Sequence, residues 1–140
     1  MLKINELKEG DLVMAEYDGQ WKEGEVLQVD KLDGKACIMT SPELEFWYDE
    51  KHIKPILLDE SYLFKLGFQK HANDDGSVKY LKGAFRVLIH HPGSFSNFEM
   101  WYREDKRHIS SAINVHEFQN KYLDMTKIHL TTNGHDDSQH

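Results

Sequence analysis

The fold is decided by the stretch Gly10-Asp11-Leu12-Val13-Met14-Ala15-Glu16-Tyr17, the pair Asp18-Gly19, and then Trp21-Lys22-Glu23-Gly24-Glu25-Val26-Leu27-Gln28-Val29. Asp-Gly between two strand-like runs is a hairpin signal, because glycine takes positive φ without steric cost. A second such pair, Asp33-Gly34, follows. Residues 35–40 and 44–48 then read as two more strands, and residues 49–58 as a closing segment. Four or five short strands with tight turns predict a small barrel. Gly24 in mid-strand predicts a bulge or tight bend, and Pro42 must lie in a loop or on an edge. Residues 52–55 read as a short helical turn leading to a last strand over 56–58. Residues 3–9 form a lead-in turn that Asn5 can cap, with Leu7 against the barrel.

Working outward, Asp59 can cap a helix over 59–67, with Leu58 stapled onto Leu63 and Gly67 placed to end it. Residues 71–77 are a polar turn. Residues 78–90 read as a strand or hairpin broken at Lys82-Gly83, with Phe85, Val87 and Ile89 alternating against Arg86, Leu88 and His90. Phe98, Met100 and Tyr102 alternate with Glu99, Trp101 and Arg103, the pattern of a half-buried strand. Residues 104–107 read as a charged turn and 108–113 as a further strand. Asn114 and Glu117 have capping-box spacing. Val115, Phe118, Tyr122 and Met125 fall on one face of the helix they open, while Lys121 and Asp124 face water. Ile128 and Leu130 extend and pack. The chain therefore divides into a barrel over 1–58, a helix–antiparallel sheet–helix unit over 59–130 sharing one core with it, and a disordered tail over 131–140. The fold class is α+β.

The chain of 140 residues can bury a core without staples. Its single cysteine, Cys37, excludes an intramolecular disulfide and points to a reducing, cytoplasmic setting. No apolar run approaches the ~20 residues of a membrane helix. Acidic side chains outnumber basic ones 24 to 17. That balance disfavours nucleic acid as the main partner, because phosphate binding draws on a basic surface, and fits a protein or peptide partner better.

Two resemblances follow from these residues. The first half, through residues 10–17, 19–26 and the closing Ile53-Lys54-Pro55, resembles the SH3-like barrels of the Tudor type, which implies a five-stranded barrel. Across the whole chain, three blocks carry a second resemblance: residues 5–13, residues 54–68 and Val115-His116-Glu117-Phe118-Gln119-Asn120-Lys121-Tyr122. They are similar to those of a group of small uncharacterised proteins of Bacteroides-type bacteria, their prophages and phages. This resemblance implies architecture and genomic setting and brings no activity with it.

The residues offer four kinds of candidate site. Tyr17, Trp21, Phe46, Trp47 and Tyr48 could wall an aromatic cage or peptide groove by cation–π attraction, or could fill the core. On the second sheet Lys82, Arg86, Arg103, Lys106 and Arg107 lie near Tyr80, Phe85, Trp101 and Tyr102, residue types that stack bases and hold phosphates. Of these, Arg86, Trp101, Arg103 and Arg107 are the nucleic-acid candidates. His90, His91, His108 and His116 lack metal-ligand spacing, and Glu117 is accounted for by the capping box. Cys37 reads as a small buried hydrophobe, and no nucleophile elbow, phosphate loop or dinucleotide fingerprint occurs. The expectation is a non-enzymatic binding or adaptor module with no metal or cofactor, engaging a protein through the barrel. A nucleic-acid-associated protein using the second sheet is the alternative. What separates them is whether Arg86 and Trp101 are exposed on one surface.

Overall fold

The computed structural model describes residues 2–132, so the expected disorder of the tail lies, from residue 133 onward, outside the described residues. The chain is α+β, with two antiparallel five-stranded sheets and two α-helices. The first sheet holds β1 (Leu12–Tyr17), β2 (Gln20–Asp30), β3 (Lys35–Ser41), β4 (Leu44–Asp49) and β5 (Ile53–Lys54), in the order β4-β3-β2-β1-β5. Asp18 and Gly19 both take positive φ, 54° and 76°, so the first hairpin turn has the twist that antiparallel strands need. The sheet curls into a half-barrel. Tyr17 of β1 stacks on Phe46 of β4 although β2 and β3 lie between those strands.

The bulge falls between Val26 and Gln28 rather than at Gly24. Gly24 is instead a point of close approach. A Cβ there would sit 2.5 Å from Ile38 Cγ2 and 3.0 Å from the Met39 carbonyl oxygen. The closing segment also differs from the sequence reading. The helical turn is Glu50–His52, and Ile53–Lys54 is the strand that pairs with β1. Residues 56–58 do not join the first sheet. They pair with the chain entering the last helix: the Val115 N–H donates to the Ile56 carbonyl at 2.7 Å, and the Leu58 N–H donates to that of Ile113 at 3.1 Å. Asn5 lies inside a 3-10 turn, Ile4–Glu6, and does not cap it.

Helix α1 (Glu60–Lys65) starts at Asp59, whose Oδ1 accepts the Tyr62 N–H at 3.2 Å, and Leu58 and Leu63 are both buried beside this start. The second sheet is a meander of β6 (Gln69–Ala72), β7 (Val78–Lys82), β8 (Phe85–Ile89), β9 (Phe98–Tyr102) and β10 (Asp105–Ile109). Strand β6 escaped the sequence reading because all four of its side chains are exposed, so it carries no apolar alternation. The turn into β10 is at Arg103, with φ 56°, so residues 105–107 are strand and not turn. Helix α2 (Val115–Thr126) opens with Glu117 Oε1 accepting the Asn114 N–H at 2.8 Å. Leu130 is buried beyond its end, whereas Ile128 is 58% exposed.

Each sheet buries its own cluster. One gathers Val13, Ala15, Val26, Ile38 and Ile53 with Leu2, Ile4 and Leu7 from the lead-in. The other packs Phe68, Phe85, Phe98, Met100, Phe118 and Tyr122 between the second sheet and the helices. Leu12, on the far side of β1 from Val13, belongs to this second cluster and ties the sheets together. Gln119 of α2 completes the joint. Its Nε2 donates to the Gly10 and Leu130 carbonyls, each at 2.7 Å, and its Oε1 accepts the Leu12 N–H at 2.8 Å. Thr131 and Thr132 are half-buried, and a Cβ on Gly10 would meet Thr131 Cγ2 at 2.5 Å, so the start of the tail packs rather than floats.

Gln119→Ala leaves three buried backbone groups unpaired, at about 1–3 kcal/mol for each such group. We expect a stability loss of roughly 3 kcal/mol or more, seen as a fall in the urea midpoint, against at most about 0.5 kcal/mol for Lys121→Ala on the same helix.

Candidate functional site

The five aromatic residues of the first half do not converge. Register pairs Ala15 with Lys22, Glu16 with Trp21, Cys37 with Trp47 and Ala36 with Tyr48. Because side chains alternate across a strand, Tyr17, Phe46 and Tyr48 share the concave face with Val13 and Ala15, while Trp21 and Trp47 stand on the outer face. Tyr17 and Phe46 lie against each other, with centroids 4.7 Å apart and planes 13° apart, which leaves no slot between them for a guest. Tyr48 is buried, and its hydroxyl has no hydrogen-bond partner among the described residues. Trp21 is half-buried with Lys54 Nζ 4.3 Å above its ring. Trp47 is level with Gln28 through Cys37, seven residues along β2 from Trp21, or roughly 23 Å at strand rise.

The second sheet behaves differently. Val78, Tyr80, Phe85, Val87, Ile89, Phe98 and Met100 point into the core. The alternate residues form the other face, and Arg86 is the direct cross-strand partner of Trp101. Arg86 is exposed and its Cζ lies 5.2 Å from the indole centroid; Lys106, partner of Trp101 on the other side, places Nζ 5.1 Å away. The indole is pinned, because its Nε1–H donates to Glu99 Oε1 at 2.9 Å. Lys79, Arg86, Leu88 and Trp101 line a cleft of about 270 Å³. Glu99 is the one carboxylate on the strands of this face among the described residues, and it also meets His90 Nε2 at 3.3 Å. Burial raises the Glu99 carboxyl, but hydrogen bonds from Trp101 and His90 and the Lys106 charge outweigh it and hold the group below its ordinary value.

The sequence groups Arg103 and Arg107 with Arg86 and Trp101, and the structure separates them. Arg103 sits in the β9–β10 turn with its guanidinium over Tyr102. Arg107 pairs with Met100 on the core-side alternation and is held by Asp124 at 2.5 Å and Asp105 at 3.2 Å. Neither belongs to the Trp101 face. Lys79, Leu88 and Glu99 were missed as site residues, although period-two alternation through β7, β8 and β9 puts all three beside Trp101.

Charge is also unevenly placed. Residues 1–58 hold 13 acidic and 7 basic side chains, while residues 59–130 hold 9 and 10. The acidic excess thus belongs to the first half and bears little on a surface of the second, since exposed charges are screened within about 10 Å.

The remaining chemically suggestive groups are committed to structure. Cys37 is buried, its Sγ is 3.5 Å from Glu45 Oε2, and burial together with that carboxylate pushes its thiol up, away from the reactive thiolate. His116 is buried with Nε2 3.2 Å from Glu6 Oε1. No group of three or more His, Cys, Asp or Glu is gathered to hold a metal, and no helix is long and apolar enough to cross a membrane, among the described residues.

Asp11 is the most perturbed carboxyl among the described residues. It is 2% exposed, and burial pushes it up to about 7 against the opposing effects of the Lys8 N–H at 2.9 Å and of Asn120. Since the folded value exceeds the unfolded 3.8, the unfolded chain releases its proton first as pH rises. Asp11 therefore stabilises the fold least above pH 7, and stability falls between about pH 4 and pH 7 by at most roughly 4 kcal/mol. Asp11→Asn keeps an acceptor for Lys8 and should flatten this slope. Parallel urea-unfolding curves for the two proteins across that window would show that Asp11 titrates normally.

Comparison of the chain with protein-family models, with curated proteins and with solved structures returned no match.

Proposed function

We propose that the protein is a non-enzymatic binding module that engages nucleic acid through the open face of its second sheet. The observation that supports this reading is the meeting of an exposed Arg86 and a half-buried Trp101 as neighbours on one face, flanked by Lys79 and Lys106. Basic side chains hold phosphates, and an aromatic face between them offers a base a stacking partner. The first half serves as scaffold. Its strand order supports reading it as an SH3-like barrel, consistent with a small protein of the Bacteroides and phage group suggested by the three sequence blocks. In a cytoplasmic setting nucleic acid is available to such a surface.

A second reading, a protein- or peptide-binding module, is favoured by exposed rings on the half-barrel: Tyr17 is 43% exposed, Phe46 39% and Trp47 49%. Tyr17 and Phe46 stack on one face and Trp47 stands on the other, and exposed rings of this kind suit a partner protein. The two readings separate by mutation.

Fluorescence anisotropy with a labelled oligonucleotide at low salt is the test. Arg86→Glu with Lys106→Glu should weaken binding by about ten-fold or more and make its salt dependence shallower. Lys22→Glu with Lys51→Glu, on the first half, should leave it unchanged. Glu99→Gln keeps an acceptor for Trp101, removes the carboxylate charge and should tighten binding roughly two- to five-fold. Equal loss from both charge reversals would point to non-specific attraction and return the half-barrel to first place.

A further inference from the structure

The geometry points to a subsite for one unpaired base in the cleft beside Trp101, and so to single strands over duplexes as the ligand; this rests on the reading that the second sheet binds nucleic acid.

The cleft has two apolar walls, Leu88 and the Trp101 indole, and a cationic rim, Lys79 and Arg86. An aromatic heterocycle with an attached phosphate has the matching layout. At about 270 Å³ the space is smaller than the ~300–1,000 Å³ of sites for larger ligands, and suits one base rather than a folded molecule. In a duplex both faces of a base are already stacked on its neighbours, so a base can enter this cleft only when unpaired.

The indole is ordered before any ligand arrives. Its N–H is held by Glu99 at 2.9 Å, and the strands on either side supply Arg86 and Lys106. Preordering lowers the entropy lost on binding. It also settles what the ring can read. With its only hydrogen-bond donor occupied, Trp101 offers a ligand just its π-face, where Arg86 Cζ now lies 5.2 Å from the ring centroid, so an entering base takes the place of the guanidinium, which swings out to the attached phosphate. The subsite therefore takes any base, and stacking carries no sequence preference of its own. Affinity divides accordingly. The ring supplies a salt-insensitive part, and Lys79, Arg86 and Lys106 supply a part that weakens as salt rises.

The test uses the full chain with Trp21→Phe and Trp47→Phe, which leaves Trp101 as its only tryptophan. The probes are oligothymidylate, a duplex of the same length, and thymidine monophosphate, followed by anisotropy and by tryptophan quenching. Oligothymidylate should quench Trp101 and bind at least about ten-fold more tightly than the duplex at equal salt. In the otherwise native chain, Trp101→Ala should cost on the order of ten-fold in single-strand affinity, Trp101→Phe should restore most of it, and the salt slope should stay the same. Equal binding of single strand and duplex, with no effect of Trp101→Ala, would overturn the subsite while leaving nucleic-acid binding by the sheet intact. Absence of binding to any of the three probes would overturn both. Thymidine monophosphate binding as tightly as the oligomer would support the subsite and overturn a polymeric ligand.

Discussion

The carboxamide of Gln119 is the interaction on which the arrangement of the two sheets depends. Its three hydrogen bonds go to Gly10, Leu12 and Leu130, which lie 109, 107 and 11 residues away in the chain. Two of the partners, at Gly10 and Leu12, are backbone groups at the start of β1, and the third, at Leu130, lies in the segment beyond α2. A buried N–H or C=O without a partner is costly, so the start of β1 and the segment beyond α2 must meet the helix at this point. Leu12 then faces the second core and Val13 the first. The lead-in follows the same route: the Asn120 side chain donates to the Glu6 carbonyl at 2.8 Å, and His116 meets the Glu6 carboxylate. Helix α2 is thus the beam against which the first sheet is set.

Among the described residues, that joint leaves one face of the second sheet uncovered. Its core side is occupied by Phe68, Phe118, Tyr122 and the start of α1, so the opposite alternation has water as its neighbour. The cationic stripe with Trp101 at its centre lies on that opposite alternation. On the first sheet the concave face holds its own core, and the outer side of β1 and β2 meets the second half. There Glu23 takes the Tyr62 hydroxyl at 2.6 Å and Lys65 at 3.1 Å. A net charge of −7 conceals this division, since it averages an acidic first half with a nearly neutral sheet unit, three of whose ten basic side chains, Lys79, Arg86 and Lys106, flank Trp101.

Much of the local structure was legible in the sequence. The hairpins at Asp18-Gly19 and Asp33-Gly34, the cap at Asp59 and the helix opening at Asn114 all depend on the φ preference or side-chain reach of residues within a few positions. The apolar faces of β8, β9 and α2 were legible for the same reason, as a period of two or 3.6 is a property of one element. What was misread depended on distant groups. Gly24 suggested a bulge, but its small size serves the approach of Ile38 from another strand. Residues 56–58 have the composition of a barrel strand, and found a better partner ahead of α2. Strand β6 is paired by its backbone alone, so its side chains gave no sign of it.

The candidate site shows the same division. By itself the sequence determined that Arg86 and Trp101 would each lie on the polar side of a half-buried strand, because alternation needs only neighbouring residues. It also determined which residue types were present to cage a cation or stack a base. Only the tertiary structure decided that β8 and β9 adjoin in the register that puts Arg86 beside Trp101 and brings Lys79, Leu88 and Glu99 around them. Only it decided that Tyr17 and Trp21 stand on opposite faces of the first sheet and that Arg107 turns to Asp124. The physical reason is that strand register and sheet contact are set by which apolar faces can be buried together and which backbone groups can be paired across long stretches of chain, and neither is a property of any local segment.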